Sequence, residues 1–289
     1  MDAEIIVNLY KLIINPDVNS EILINYIIKY KININTYLPS FNGSEMPLIY
    51  YCTLRPDLED LFKYLIKNNV DLYSRINAEN PIDLITYSDI KYIKYLSSRG
   101  CKISENRIYG DLYNILLNGN VKKFLTFIKY GIINKEHVMN IINRENILFD
   151  ILDKMYEKLF NICKHINTNV IDTINELCTY YIDTFKFFFN NGISPNIKKV
   201  KNITDDNGEI INTFNISFAQ NILNTYLYDL IKLLIEYKVD FSTLKFYHYS
   251  NFSLSNKQVM TPIYNNENFE KINSILSNHI RPKKFRRIK

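Results

Sequence analysis

The sequence predicts an all-α solenoid, a row of stacked helix pairs joined by turns. Three observations predict it. One amphipathic helix-ending phrase recurs six times, glycine or asparagine recurs where that helix stops, and proline recurs where the next pair opens. The phrase reads LINYIIKYKINI at 23–34, LFKYLIKNNVDL at 61–72 and IKYIKYLSSRGCKI at 90–103. It returns as VKKFLTFIKYGII at 121–133, IDTFKFFFNNGISP at 182–195 and LYDLIKLLIEYKVDF at 227–241.

The stretch 58–84 states the pattern most fully. Leu58, Leu61, Phe62, Leu65 and Ile66 share one helical face through their 3, 4 and 7 spacing. Asn68-Asn69 ends that helix, and Val70-Asp71-Leu72 is an extended step. Arg75 to Asn80 is a mostly polar finger. Pro81 suits the first turn of the next helix, where a missing N–H costs nothing.

Gly100, Gly131 and Gly192 occupy one equivalent point, which fits a left-handed C-cap. Asn69 tolerates the same conformation, whereas Lys31 and Lys238 depart from it at some cost in helix-end stability. Counting two residues beyond each cap marks Asn33, Asp71, Lys102, Ile133, Ser194 and Asp240, with successive spacings of 38, 31, 31, 61 and 46. The 61 is close to two units, so a degenerate repeat is expected between, with 157–169 supplying a helix. The 46 is one unit plus an insertion. Proline opens a pair at Met46-Pro47-Leu48, Asn80-Pro81-Ile82 and Thr261-Pro262-Ile263, and Pro47 and Pro81 are 34 apart.

A period near 33 with this wording resembles the ankyrin repeat. Thr261-Pro262-Ile263 matches the opening of its first helix, and Val70-Asp71 and Val239-Asp240 match the end of its second. The resemblance covers roughly residues 20–280, and the family's small Ala positions are largely Tyr, Ile and Leu here. It implies an ankyrin-repeat solenoid of about seven or eight degenerate helix pairs, with short hairpin-like fingers. Residues 1–280 are expected to be one solenoid. Residues 1–20 cap its N-terminus, and Phe269, Ile272 and Leu276 sit in a last helix. Residues 201–217 and 242–260 are lengthened loops. Asn207-Gly208 inside the first is a hairpin signal, and Phe246, Tyr247, Tyr249 and Phe252 crowd the second.

Composition narrows the function classes. The chain has 289 residues, 47% hydrophobic, with no Trp and only 7 Gly, which argues against glycine-dependent phosphate loops. Ile, Asn, Lys and Tyr are abundant, as in proteins of AT-rich genomes. Net charge is +5, but the tail RPKKFRRIK at 281–289 holds six of the 35 cations. The other 29 face 30 acids, so the body is not a polycation and a nucleic-acid partner is not expected. Arg281, Lys283, Lys284, Arg286, Arg287 and Lys289 of the tail read as a solvated terminus, a nuclear-import-like cluster or a contact for acidic groups. Neither a signal peptide nor a membrane span is read, so Cys52, Cys101, Cys163 and Cys178 are expected to be reduced, buried residues of a cytosolic protein.

No cofactor or metal is expected. Counting back from Gly208, the stretch 205–209 puts Ile203 where a calcium loop needs a ligand. Cys163-Lys164-His165 lacks the other ligands of a zinc site. Of His137, His165, His248 and His279, only His137 has an adjacent carboxylate, Glu136, and neighbours on a helix point apart. Enzyme activity is not expected. The candidate partner-binding residues are Tyr50, Tyr51, Tyr73, Arg75, Asn77, Asp206 and Asn207, where the ankyrin resemblance puts inner helices and fingers; Tyr26, Tyr64 and Tyr92 read as packing residues.

Composition and drifted repeats together resemble the poxvirus ankyrin-repeat proteins. That resemblance implies a host-range or immune-evasion factor that sequesters a host signalling or restriction protein in the host cytoplasm. It also implies an alternative, a substrate adaptor for a cullin-type ubiquitin ligase. The C-terminus ILSNHIRPKKFRRIK lacks the family's F-box-like segment, which favours the ankyrin-only branch.

Overall fold

Local chemistry sets the helix ends before any packing. The structure, a computed structural model, describes residues 3–39, 45–72, 75–76, 80–81, 83–144, 146–164, 170–204, 210–223, 227–241, 244 and 274. Over these residues the chain is mostly helical, and its strands pair into three two-stranded antiparallel hairpins. The order begins α1 (Ala3–Ile14), α2 (Ser20–Lys29), β1 (Tyr37–Pro39), β2 (Glu45–Pro47) and α3 (Leu48–Leu54). A 3-10 turn, Pro56–Leu58, leads to α4 (Glu59–Lys67), β3 (Arg75–Ile76), β4 (Asn80–Pro81), α5 (Leu84–Tyr87) and α6 (Ile90–Ser98). Then come α7 (Ile108–Leu117), α8 (Val121–Lys129), α9 (Lys135–Ile142), α10 (Ile147–Lys164) and α11 (Val170–Asn190). β5 (Lys198–Thr204), β6 (Ile210–Ser217), α12 (Phe218–Leu223) and α13 (Tyr228–Glu236) complete it.

All six positions aligned by sequence adopt positive φ: Lys31 52°, Asn69 59°, Gly100 82°, Gly131 68°, Gly192 92° and Lys238 54°. Each closes the same pair of backbone bonds. After α4, Val70 N donates to Leu65 O at 3.1 Å and Asn69 N to Ile66 O at 3.2 Å; after α6, Cys101 N reaches Leu96 O at 3.0 Å and Gly100 N reaches Ser97 O at 2.9 Å. This is the Schellman arrangement, which satisfies carbonyls the helix itself leaves open. Gly119 (φ 76°) repeats it at the end of α7.

The chain divides into two compact units, residues 1–111 with 123–137, and residues 112–122 with 138–289. In the first unit α1 packs on α2. Leu9, Ile13, Leu23, Leu48, Leu61, Leu65, Ile93 and Phe124 are among its fully buried side chains. The bases of successive fingers are tied by side-chain acceptors. Asn35 Oδ1 accepts from Asp71 N at 2.7 Å, and the buried Asp83 accepts from Ser104 N at 3.0 Å and Ser104 Oγ at 2.7 Å.

A second recurring feature spans helix pairs. The Arg55 guanidinium donates to Ile13 O and Asn15 O, both at 2.8 Å, and to Val18 O at 3.2 Å, covering the α1–α2 turn. Tyr92 Oη reaches Arg55 O at 3.3 Å, over the α3–α4 turn. Lys123 Nζ donates to Thr86 O and Ser88 O, both at 2.6 Å, over the α5–α6 turn. In the second unit, Tyr181 Oη donates to Leu117 O at 2.9 Å and Lys158 Nζ to Asn118 O at 3.2 Å, over the α7–α8 turn.

The second unit departs from the regular pairs. Residues 147–190 contain neither Gly nor Pro, and α10 and α11 run 18 and 21 residues, where α4, α6, α8 and α13 each have nine. Between 133 and 194, where a degenerate repeat is expected with a helix from 157–169, α10 covers 157–164 and packs on α11. Phe218 meets the rings of Phe149, Phe185 and Phe189 at 5.7, 5.4 and 6.2 Å, forming an aromatic centre. The hairpin expected at 201–217 forms between β5 and β6, with an irregularity at Ile203/Thr204.

One helix start differs from expectation. Pro81 lies in β4 opposite Arg75, and α5 begins only at Leu84. A two-residue strand end accommodates a residue without an N–H. Pro47 is the N-cap of α3 and the last residue of β2.

Three measurements test this account. Leu65 is fully buried, so Leu65→Ala costs ~2–5 kcal/mol in urea unfolding. Gly131→Ala costs ~1 kcal/mol for its left-handed backbone alone, since nothing lies near the added Cβ. Gly119→Ala costs ~2 kcal/mol or more, because that Cβ meets the Tyr181 ring at 3.3 Å; equal costs would contradict the geometry. Burial lowers the pKa of Lys123 to about 8, against an opposing pull from Asp89. An unfolded lysine titrates near ~10.4, so between these values the unfolded chain holds the extra proton and stability rises with pH. The stability of the wild type relative to Lys123→Met therefore grows by up to ~3 kcal/mol from pH 8 to pH 10.5, and a constant difference would exclude the buried amine as its source.

Candidate functional site

Short first helices leave room for only a few outward side chains, and in the first unit these are repeatedly tyrosines. The Tyr10 ring on α1 meets Tyr51 of α3 edge-on at 5.9 Å. Tyr51 meets Tyr50 at 5.7 Å, and Tyr50 meets Tyr87 of α5 at 6.0 Å. Arg107, just before α7, donates from Nη2 to Tyr87 Oη at 2.9 Å. Further along, the Tyr109 ring lies 5.8 Å from the His137 ring. Tyr87 and Tyr109 are 40% and 39% exposed, whereas Tyr10, Tyr50 and Tyr51 are half-buried. The result is an aromatic row across α1, α3 and α5, with edge-to-face rings and a guanidinium at one end.

The row is anchored from beneath. Tyr51 Oη donates to Pro39 O at 2.6 Å, joining α3 to β1. Tyr51 thus spends its polar end internally, while its ring stays in the row. Burial, then the neighbouring Tyr87, raises the pKa of Tyr50, keeping its hydroxyl protonated. Arg107 also pairs with Asp111 at 3.5 Å. Burial raises the Asp111 pKa, against the pull of Arg107, and its Oδ2 has no hydrogen-bond partner among the described residues.

Of the residues expected from sequence to bind a partner, Tyr50 and Tyr51 come together in this row. Arg75 lies in β3, where only its backbone is described. Tyr73, Asn77, Asp206 and Asn207 lie outside the described residues, as does the whole tail from Arg281 to Lys289 and, apart from Leu244, the loop 242–260. Sequence reasoning missed Tyr10, Tyr87, Arg107 and Tyr109. The 36-residue spacing of Tyr51 and Tyr87, close to one repeat, was the available signal.

Among the described residues, His137 and three cysteines sit in structural surroundings. His137 Nδ1 accepts from Asn134 N at 3.2 Å while Asn134 Oδ1 accepts from His137 N at 3.0 Å, a reciprocal cap for α9. The thiols of Cys52, Cys101 and Cys178 are free and buried. Burial pushes the Cys101 pKa up to about 11 and that of Cys178 up to about 12, so both stay protonated near neutrality. Among the described residues no three of His, Cys, Asp and Glu are grouped to hold a metal ion, and no helix is long and apolar enough to cross a membrane. No family model matches the chain, and neither a curated protein nor a solved structure matches it.

Proposed function

We propose that the chain is a non-enzymatic, ankyrin-type module that binds another protein through its first helices and fingers. Its resemblance to poxvirus ankyrin-repeat proteins makes it a host-range or immune-evasion factor that sequesters a host signalling or restriction protein in the cytoplasm. The aromatic row carries the reading. Tyrosine offers a large, rigid contact with one polar end and loses little conformational entropy on binding. Edge-to-face contacts between Tyr10, Tyr51, Tyr50 and Tyr87 hold the rings in place before any partner arrives, so the ordering cost is already met. The ankyrin reading draws on hairpin–helix–turn–helix order at β1–β2–α3–α4 and β3–β4–α5–α6, and on the recurring Schellman caps.

Affinity capture from host-cell lysate tests it. The wild-type chain retains a specific protein. Tyr87→Ala with Tyr109→Ala, at two exposed positions, weakens that capture about tenfold or more while the helical circular dichroism spectrum of the folded chain is retained. Changes at Tyr73 or Arg75 weaken it likewise. Capture that the tyrosine pair leaves untouched rejects the row as the contact, and co-purifying cullin-ligase subunits would redirect the reading to a ligase adaptor.

A further inference from the structure

We infer that the outward faces of α6 and α8, away from the aromatic row, dock an acidic segment of a partner protein that also carries apolar side chains. The helices α4, α6 and α8 begin at Glu59, Ile90 and Val121, 31 residues apart, and each has nine residues. Their positions therefore correspond one for one. α4 is balanced, with Glu59 and Asp60 against Lys63 and Lys67. α6 and α8 contain no acid at all.

The imbalance extends beyond the helices. From Ile90 to Ser104 there are four cations and no acid, and from Leu112 to Lys135 again four cations and no acid. Across 90–135 nine cations face two acids, whereas the rest of residues 1–280 holds 20 cations and 28 acids. The near-neutral body thus has a strongly positive segment set in an acidic remainder. Two carboxylates border α6 at its N-terminus, and they engage Lys91 of α6, which is therefore not part of the docking surface. Glu59 pairs with Lys63 at 2.7 Å and Lys91 at 3.0 Å, and Asp89 accepts from Lys91 N at the N-cap of α6.

Tertiary contacts bring the two basic helices side by side. Ser97 Oγ on α6 donates to Tyr130 O at the end of α8 at 3.2 Å, and Lys123 of α8 holds the α5–α6 turn. Exposed on this surface are Lys94, Arg99, Lys102 and Lys129, with Tyr95 (46%), Leu125 (45%) and Ile128 (37%) among them. Leu125 and Ile128 are three apart and share a helical face.

The mixture selects the partner class. A positive field attracts and orients an anionic partner. Nucleic acid is the poorer fit, because its interfaces are more polar, use Arg forks on phosphate and stack bases on planar groups. Here lysines dominate and the exposed apolar groups are chiefly aliphatic. A lipid surface is also the poorer fit, because interfacial helices bury a wide apolar face in the bilayer, and on α8 Val121, Phe124 and Phe127 are already spent in the core. Acidic side chains flanking Leu, Ile or Phe satisfy both the lysines and the two aliphatic residues.

Panning a random peptide-display library on the full chain tests this surface apart from the aromatic row. The expected peptides are rich in Asp and Glu and carry Leu, Ile or Phe. Their binding falls at least about tenfold on K94E/K129E, several-fold on L125S/I128S, and with added NaCl. All four positions are exposed, so circular dichroism melts of the variants stay unchanged. The inference is overturned if selected peptides lack acidic enrichment, or if either double variant binds them as well as wild type does. It is also overturned if poly(U) RNA or phosphatidylserine vesicles bind wild type more tightly than the peptides do and lose binding on K94E/K129E. Because Tyr87 and Tyr109 are untouched, such failure leaves the first-helix reading standing.

Discussion

Carbonyl groups at the turn within a helix pair are the constraint on which this structure depends. A helix leaves its last carbonyls without intrahelical partners, and burying them unpaired costs on the order of 1–3 kcal/mol each. Here the neighbouring pair supplies the donor. Arg55 serves the α1–α2 turn, Tyr92 the α3–α4 turn and Lys123 the α5–α6 turn, while Tyr181 and Lys158 serve the α7–α8 turn. The α1–α2 and α3–α4 turns also close bonds of their own, Val18 N to Asn15 O at 3.2 Å and Leu58 N to Arg55 O at 3.0 Å, and a later element adds the long-range donor. The chemical type of the donor varies, but its geometric role does not. A guanidinium, a phenol and an ammonium do the same work because all carry an N–H or O–H on a long apolar stem.

The same constraint explains why two of these donors are so deeply placed. Tyr92 is 1% exposed and Lys123 is 7% exposed, positions where an unpaired polar group is costly. Their tips end on carbonyls, and the ring of Tyr92 packs on Phe62 at 4.3 Å. Stability at the turns therefore relies on long-range pairs, whereas stability at the far helix ends relies on local Schellman closures. The tyrosine row lies on the first helices, and the lysine-rich surface on the outer faces of α6 and α8.

Much of the architecture is legible one helix at a time. The apolar spacing of Leu58, Leu61, Phe62, Leu65 and Ile66 predicts a face of which the first four are buried and Ile66 half-buried in the structure. A glycine or asparagine after an amphipathic run predicts a left-handed residue, and even the two lysines aligned with it, Lys31 and Lys238, take that conformation. The candidate surface is legible only in part. Tyr50 and Tyr51 stand out as adjacent tyrosines early in a helix, but Tyr10 and Tyr87 join them only through contacts about forty residues apart in sequence. Net charge by itself hides the basic surface, because the acidic remainder cancels it in the total.

Sequence alone determined where helices stop, that a hairpin forms around 201–217 and which helical faces are apolar. Each is decided within about six residues by backbone preference and side-chain periodicity. Tertiary structure decided the rest: Pro81 closes a strand instead of opening a helix, the Gly-free and Pro-free stretch 147–190 becomes two long helices, and Lys123 is buried on two carbonyls. It also decided which tyrosines touch. The buried lysine and the ring contacts depend on partners more than thirty residues away, and the energy of a buried donor or a ring contact exists only once the partner has been brought to it.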